Sequence, residues 1–217
     1  MIRPILLIGG APEVALDAVR YMSVRASGQT AARLKQYISQ QGAPSDCITL
    51  LLSEQALPDL DCERYRTRQD LEGKIKGYLT QNPQALMLMS AAINDYELAV
   101  TGVRLADQSI HELASHEKAP SGAEELVIRL KPAAKLIDQL GSYGHQGPLI
   151  ACKYEDAATV VISAQRLRER VQADCVVANS LCGQVQALVN ADAVEHFSDR
   201  EQLLQALGRR IYELSVI

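Results

Sequence analysis

Between Asp17 and Gly28 the chain reads Asp-Ala-Val-Arg-Tyr-Met-Ser-Val-Arg-Ala-Ser-Gly, with two guanidinium groups, Arg20 and Arg25, and two hydroxyls, Ser23 and Ser27. These side chains bind phosphate or carboxylate, the guanidinium through a planar fork of donors and the hydroxyl through one short donor. The segment follows Ile5-Leu6-Leu7-Ile8-Gly9-Gly10, an apolar run of strand form, and precedes a helix expected from near Gln29. A helix start presents unpaired amides with the positive end of the macrodipole behind them, so the arrangement suits an anion. An ordinary loop with a capping serine would use the same residue types. Two further apolar runs end abruptly in polar groups: Ala85–Ala91 in Asn94-Asp95, and Leu149–Tyr154 in Lys153 with Glu155. An acid there suits a Mg2+ ion or a ribose, although Asp95 as a helix cap is an alternative. A lysine inside an apolar strand is poorly placed unless it meets an anion or an acid.

The elements that must bring these groups together follow from periodicity. Helices are expected over Thr30–Gln41, Arg68–Thr80, Ala133–Leu140, Ala157–Gln172 and Arg200–Leu214. Buried strands are expected at Ile5–Gly10, Cys47–Leu52, Ala85–Ala91, Leu149–Tyr154 and Asp174–Asn179, with Gln184–Val189 as a half-exposed strand that pairs with Ala193–Phe197. Strands alternating with helices imply an α/β fold, a doubly wound, mostly parallel sheet in three layers. In such sheets ligands bind at the carboxyl ends of the strands, where Gly10, Asn94-Asp95 and Lys153 would meet. Residues 97–131 break this rhythm, with strands at Val103–Leu105 and Glu125–Lys131 around a polar segment. They read as a β-rich flap or excursion on a single domain spanning 1–217.

Composition narrows the function. The net charge is −4, from 22 Lys and Arg against 26 Asp and Glu, with no basic run and only 4% aromatic residues, which argues against nucleic acid as a partner. No run of about 18 apolar residues suggests a membrane span, and no secretory signal pattern opens the chain, so a cytoplasmic protein is expected. Five cysteines, Cys47, Cys62, Cys152, Cys175 and Cys182, lack a C-x-x-C pair and are expected as free thiols. His111 and His116 are five apart and share no helix face, so zinc is not expected there. A P-loop is absent and Gly9–Val14 does not complete a dinucleotide fingerprint. The residues alone indicate a nucleotide- or phosphate-binding α/β protein.

The same residues carry a resemblance. Asp17–Gly28 resembles the D-P-V-R-Y-I-S-N-x-S-S-G loop of phosphopantothenoylcysteine synthetase, the second half of the bifunctional coenzyme A biosynthesis flavoprotein. In order along the chain, Thr67–Leu79 resembles its T-x-x-x-M helix, Ser90–Tyr96 its A-A-A-V-A-D-Y strand end, and Glu124–Leu130 its x-E-L-x-I-x-L strand. Ala151–Glu155 and Ala173–Asn179 resemble G-F-K-x-E and D-x-I-V-A-N, so the similarity runs over about residues 4 to 215. The resemblance implies a Rossmann-like fold and a homodimer in which one subunit's flap reaches the other's site. It implies a ligase that uses CTP or ATP with Mg2+ to activate 4′-phosphopantothenate as an acyl-nucleotide, which the amine of cysteine then displaces. Carried over by position, Gly10, Arg20 and Ser27, with the Ser23 hydroxyl, would line the substrate and triphosphate loop. Asp95 would serve the nucleotide and the metal, Lys131 and Lys153 would lie near phosphate, and Lys118 would act from the flap as a catalytic group beside Asp95. No flavin is expected, since the chain opens directly on its first strand.

Departures from the family pattern bear on activity. Val24 stands where the family has the asparagine that positions the acyl-nucleotide, and a valine neither donates nor accepts a hydrogen bond. Ala26 replaces the first serine of Ser-Ser-Gly. Gly10-Ala11-Pro12-Glu13-Val14 loses the threonine and arginine of G-P-T-R-E, and the flap's lysines are reduced to Lys118. Lys131-Pro132-Ala133-Ala134 stands for Lys-Asn-Pro-Asp. Two readings follow: a stand-alone synthetase or sibling ligase, and a non-ligating paralogue that binds a nucleotide or metabolite as a regulatory subunit.

Overall fold

Side chains of the first strand alternate between two cores, and this fixes the number of layers. The computed structural model describes residues 1–105, 107–114 and 116–217. In it, β1 (Ile5–Gly9) is wholly buried, with Ile5 and Leu7 in one apolar cluster and Leu6 and Ile8 in the other. On the first face lie α1 (Gln29–Gln40), through Ala31, Leu34 and Ile38, and α4 (Arg200–Ser215), through Leu203, Leu204, Leu207 and Ile211. On the second lie α2 (Arg68–Gln81), through Leu71, Ile75 and Leu79, and α3 (Val160–Val171), through Val160 and Ala164. The result is helix, sheet, helix, as the alternating pattern implies. Each fully buried Leu or Ile contributes about 2 kcal/mol relative to exposure, so these two stripes dominate the stability of the fold.

Six parallel strands form most of the sheet: β5 (Glu63–Tyr65), β4 (Ile48–Ser53), β1, β6 (Leu86–Met89), β10 (Leu149–Glu155) and β11 (Cys175–Ser180), in that spatial order. An antiparallel pair, β12 (Gln186–Val189) and β13 (Val194–His196), extends it to eight strands. The chain leaves β1 toward β4 and later returns to the other side of β1 as β6. This reversal opens a crevice beyond the carboxyl ends of the strands, where doubly wound proteins bind ligands. The fold is therefore α/β and Rossmann-like.

A separate three-stranded antiparallel sheet is formed by β7 (Tyr96–Arg104), β8 (Ile110–Glu112) and β9 (Leu126–Pro132), in the order β8-β7-β9. The excursion expected from the broken rhythm is thus an antiparallel sheet with β7 at its centre, and β7 begins well before Val103. A two-residue hairpin, β2 (Val14–Ala15) with β3 (Tyr21–Met22), stiffens the arginine-bearing loop.

Two expectations fail. Gln186–Val189 is buried throughout rather than half exposed, because α3 and α4 cover opposite faces of β12. Residues 133–140 hold only a 3-10 turn, Leu136–Gln139, instead of a helix. The Ala133 amide donates to the Asp95 carbonyl at 2.9 Å and the Lys135 ammonium to the Asp95 carboxylate at 2.9 Å, which keeps the chain extended through Lys135. Among the described residues, no helix is long and apolar enough to cross a membrane.

Candidate functional site

Two glycines shape the turns at the carboxyl edge. Gly10 has φ +86°, and a Cβ there would sit 2.2 Å from Ser53 Oγ, which accepts the Ala11 amide at 3.1 Å. Its carbonyl accepts the Ala92 amide at 2.9 Å and so joins the end of β1 to the segment after β6. Gly28, with φ +74°, begins α1 with no side-chain cap on the helix. The Gln29 amide in the first turn of α1 donates to the Ser27 hydroxyl at 3.4 Å, and no acid stands in that turn.

The crevice measures about 730 Å3 and lies between the start of α1 and the ends of β6, β10 and β11. Its lining carries five cationic side chains, Arg25, Lys135, Lys153, Arg170 and Arg200, against one carboxylate, Asp95. Three of the cations have partners: Lys135 meets Asp95 at 2.9 Å, Lys153 meets Glu155 at 2.5 Å, and Arg170 meets Asp138 at 3.0 Å. Hydrogen bonding from Lys153 holds the Glu155 carboxyl below the usual range. Partly exposed pairs of this kind contribute about 0–1 kcal/mol, so a polyanionic ligand opens them at little cost. Deeper in, Asn179 Oδ1, Gln186 Oε1 and Arg200 Nη1 are buried without a hydrogen-bond partner, and all three residues line the crevice.

Of the residues singled out in the sequence, Ser27, Asp95 and Lys153 line this crevice, as do Val24, Ala26 and Arg25. Gly10, Arg20, Ser23, Lys118 and Lys131 do not. Gly10 is packed beneath the turn. Arg20 turns back onto Asp17, and the Ser23 hydroxyl donates to the Pro12 carbonyl at 3.0 Å. Lys131 pairs with Glu97 at 3.0 Å on the outer sheet. Lys118 is exposed between Glu117, whose carbonyl accepts the Ala18 amide at 2.9 Å, and Ala119, whose amide donates to Asp17 Oδ2 at 3.1 Å. The excursion's inner segment is thus fastened to the arginine loop of its own chain, and Lys118 is not among that chain's crevice-lining residues. His111 is exposed on β8.

Asp17 is the hub of this fastening. It accepts the amides of Val19 at 2.8 Å, Arg20 at 2.7 Å and Ala119 at 3.1 Å, together with the Arg20 guanidinium. Those bonds, the Val19 amide first, outweigh the effect of burial and hold the carboxyl at about 2.

The residues do not make a dedicated metal site. Asp95 is the lining's one carboxylate and already engages Lys135, and among the described residues no three His, Cys, Asp or Glu side chains gather around a common point. A hard cation held mainly by ligand phosphates, with one carboxylate at most from the protein, is the arrangement this donor set allows.

The residues that sequence reasoning did not single out are Lys135, Arg170, Arg200 and Gln186. Arg170 and Arg200 sit on surface helices, Lys135 beside a 3-10 turn and Gln186 at the start of a short strand, where a charge or an amide reads as solvated. Asn179, at the end of an apolar strand, carried the same signal as Asp95.

Comparison with known proteins agrees with this architecture. The family model described as the DNA/pantothenate metabolism flavoprotein C-terminal domain matches residues 2–207. No curated protein matches. Among solved structures, the DNA/pantothenate metabolism flavoprotein from Streptococcus pneumoniae superposes with a TM-score of 0.80 at 20% identity, covering 98% of this chain and 99% of that one. The C-terminal domain of the coenzyme A biosynthesis bifunctional protein CoaBC gives 0.71 at 16% identity, with 98% and 95% covered. A Cab2 mutant in complex with phosphopantothenate-cysteine gives 0.73 at 12% identity, with 97% and 85% covered. With a carboxyl-edge crevice, an antiparallel excursion and a family match over nearly its whole length, the chain belongs to the family of the C-terminal domain of DNA/pantothenate metabolism flavoproteins.

Proposed function

We propose that this chain is a nucleoside-triphosphate-dependent ligase that joins 4′-phosphopantothenate to cysteine. The observation that carries the reading is the crevice lining of five cations against one carboxylate, in a chain whose net charge is −4. Such a concentration of positive charge at a strand-end crevice selects a ligand with several negative charges. The likeness to a Cab2 mutant complexed with phosphopantothenate-cysteine supports the choice of substrate. In this reading a carboxylate oxygen of 4′-phosphopantothenate attacks the α-phosphorus of CTP or ATP and pyrophosphate leaves. The cysteine amine then attacks the acyl carbon, the nucleoside monophosphate leaves with the C–O bonding pair, and the ammonium proton passes to solvent.

The protein's part is to hold the phosphates and exclude water from the mixed anhydride. Lys153, Lys135 and Arg25 would neutralise the phosphates, Ser27 and the α1 amides would donate hydrogen bonds to them, and Mg2+ would arrive with the nucleotide and meet Asp95. The chain would act in the cytoplasm as a homodimer, with Lys118 of each excursion serving the other crevice. The exposed position of Lys118, away from its own crevice, supports that arrangement.

One observation favours a second reading. Val24 and Ala26 both line the crevice, so their missing hydrogen-bonding groups leave gaps where the acyl-nucleotide would lie. A nucleotide- or metabolite-binding regulatory subunit would tolerate those gaps. Titration calorimetry with CTP and with ATP, each with Mg2+, separates the cases. Binding strengthened by 4′-phosphopantothenate, followed by pyrophosphate release and amide formation on adding cysteine, is the expected result. Binding without pyrophosphate release favours the regulatory reading, and no binding of either nucleotide overturns both.

A further inference from the structure

The loop that follows β4 stands beneath both glycine turns of the crevice. Ser53 Oγ accepts the Ala11 amide at 3.1 Å, just past Gly10. Three residues on, Ala56 is buried with its methyl against both turns. A Cβ built on Gly10 would lie 3.0 Å from that methyl, and one built on Gly28 would also lie 3.0 Å from it. The two turns therefore rest on one side chain. What they position is the crevice, because the Gly10 carbonyl accepts the Ala92 amide at 2.9 Å and Gly28 stands in the lining at the start of α1.

Left to itself this loop has little reason to keep one shape. It turns twice, through the Ala56 amide on the Ser53 carbonyl and the Leu60 amide on the Leu57 carbonyl, each at 3.0 Å. Leu57 has φ +46°, a left-handed conformation that is unfavourable for a residue with a Cβ. Arg64, the middle residue of β5, supplies the hold. Its Nη1 donates to the Ser53 carbonyl at 3.2 Å and to the Ala56 carbonyl, and its Nη2 to the Leu57 carbonyl at 2.8 Å and to the Leu60 carbonyl. One planar group thus gathers four carbonyls of a single loop, which an ammonium with three donors cannot do. Two of the four belong to Ser53 and Ala56, the residues that touch the turns. Arg64 is not in the crevice lining, so its effect on a ligand passes through the loop.

We propose that Arg64 is a positioning residue for the crevice. By clamping residues 53–60 it seats the Ala56 methyl between Gly10 and Gly28 and sets where the end of β1 and the start of α1 stand. The identity of the ligand that those turns serve rests on the nucleotide reading, while the clamp itself acts in the ligand-free protein.

Two variants separate the clamp from the contact it holds. Arg64→Met keeps a long side chain and removes the donors, and Ala56→Gly keeps the clamp and removes the methyl. In the ligand-free protein the amide resonances of Ala11 and Ala92 are expected to move in both. With Mg2+ present, affinity for whichever of CTP and ATP the wild type binds is expected to fall about threefold to thirtyfold in each, the range for a residue that acts on a site without touching its ligand. The double variant is expected to lose no more than the weaker-binding single variant, because both changes remove one contact. Arg64→Lys is expected to recover part of the loss. A purely structural arginine would lower the melting temperature yet leave these resonances, and affinity measured well below melting, at their wild-type values. That result in Arg64→Met overturns the proposal, as does an additive loss in the double variant. Should Arg64→Met fail to fold, Ala56→Gly and Arg64→Lys carry the test on the same readouts. A wild type that binds neither nucleotide overturns the nucleotide reading, and the resonances then decide the positioning role alone.

Discussion

In the proposed reaction, Val24 is the departure that bears most directly on the second step. It lines the crevice with its side chain partly exposed, so an amide at this position would reach the same space without disturbing a core. A hydrogen bond to a charged acyl-phosphate is worth about 1.5–3 kcal/mol, or roughly ten- to a hundredfold in rate if it forms only in the transition state. Val24→Asn is therefore expected to raise amide formation by at least about tenfold while leaving CTP affinity within about threefold, read as amide product formed per nucleotide consumed. Unchanged turnover beside intact CTP binding would show that position 24 is not the limiting departure, and Ala26 would be examined next. The sequence marked Ser27, Asp95 and Lys153 because each interrupts or follows an apolar run, where a polar group is conspicuous. Lys135, Arg170 and Arg200 carry the same kind of charge but sit among other polar residues. For them only the tertiary placement distinguishes a crevice cation from a solvated one.

At the scale of elements, the arginine loop and the excursion act as one unit because Asp17 binds both. Its carboxyl is held at about 2 in the folded state, below the usual carboxylate value near 4. A depressed carboxyl stabilises the fold above the unfolded value and loses that contribution as pH falls through the folded one. The fastening of 117–119 to the loop is therefore expected to persist at pH 4 and to release with a midpoint near pH 2. Backbone amide resonances of Ala18 and Ala119 would report this directly, and Asp17→Asn should show the released positions already at pH 7. A midpoint at the ordinary carboxylate value would sink the idea that these amides hold Asp17 charged. The hub was not legible in advance, since an aspartate in a polar loop gives no sign that its third amide partner lies 102 positions away. Strands β2, β3, β5 and β8 escaped for another reason. With two or three residues each, they are too short to display a period of two. Tyr65 shows what such a strand contributes: it is fully buried and its hydroxyl donates to the Gly9 carbonyl at 2.9 Å.

At the scale of the whole molecule, the parallel sheet was readable because strands covered on both faces are written as nearly unbroken apolar runs, as in Leu86-Met87-Leu88-Met89. The excursion was readable only as an interruption, since one face of a small antiparallel sheet is free to be polar or apolar according to what covers it. On β9, Leu126, Ile128 and Leu130 point to one face and remain 37–40% exposed, which leaves an apolar stripe where a solvent-facing strand would carry polar residues. If a second copy covers that stripe, as the proposed homodimer requires, each subunit buries the same residues across a two-fold axis. Light scattering is then expected to give twice 23.7 kDa at micromolar concentration, and Leu130→Glu, alone or with Ile128→Lys, is expected to give a single chain. Because these positions lie outside both cores, the variants should keep a cooperative melting transition and their affinity for CTP with Mg2+. Ligase turnover should fall with the loss of the dimer, since Lys118 would no longer reach a neighbouring crevice. A wild type that is monomeric yet fully active would overturn the exchange of Lys118 between subunits and leave the crevice to work alone.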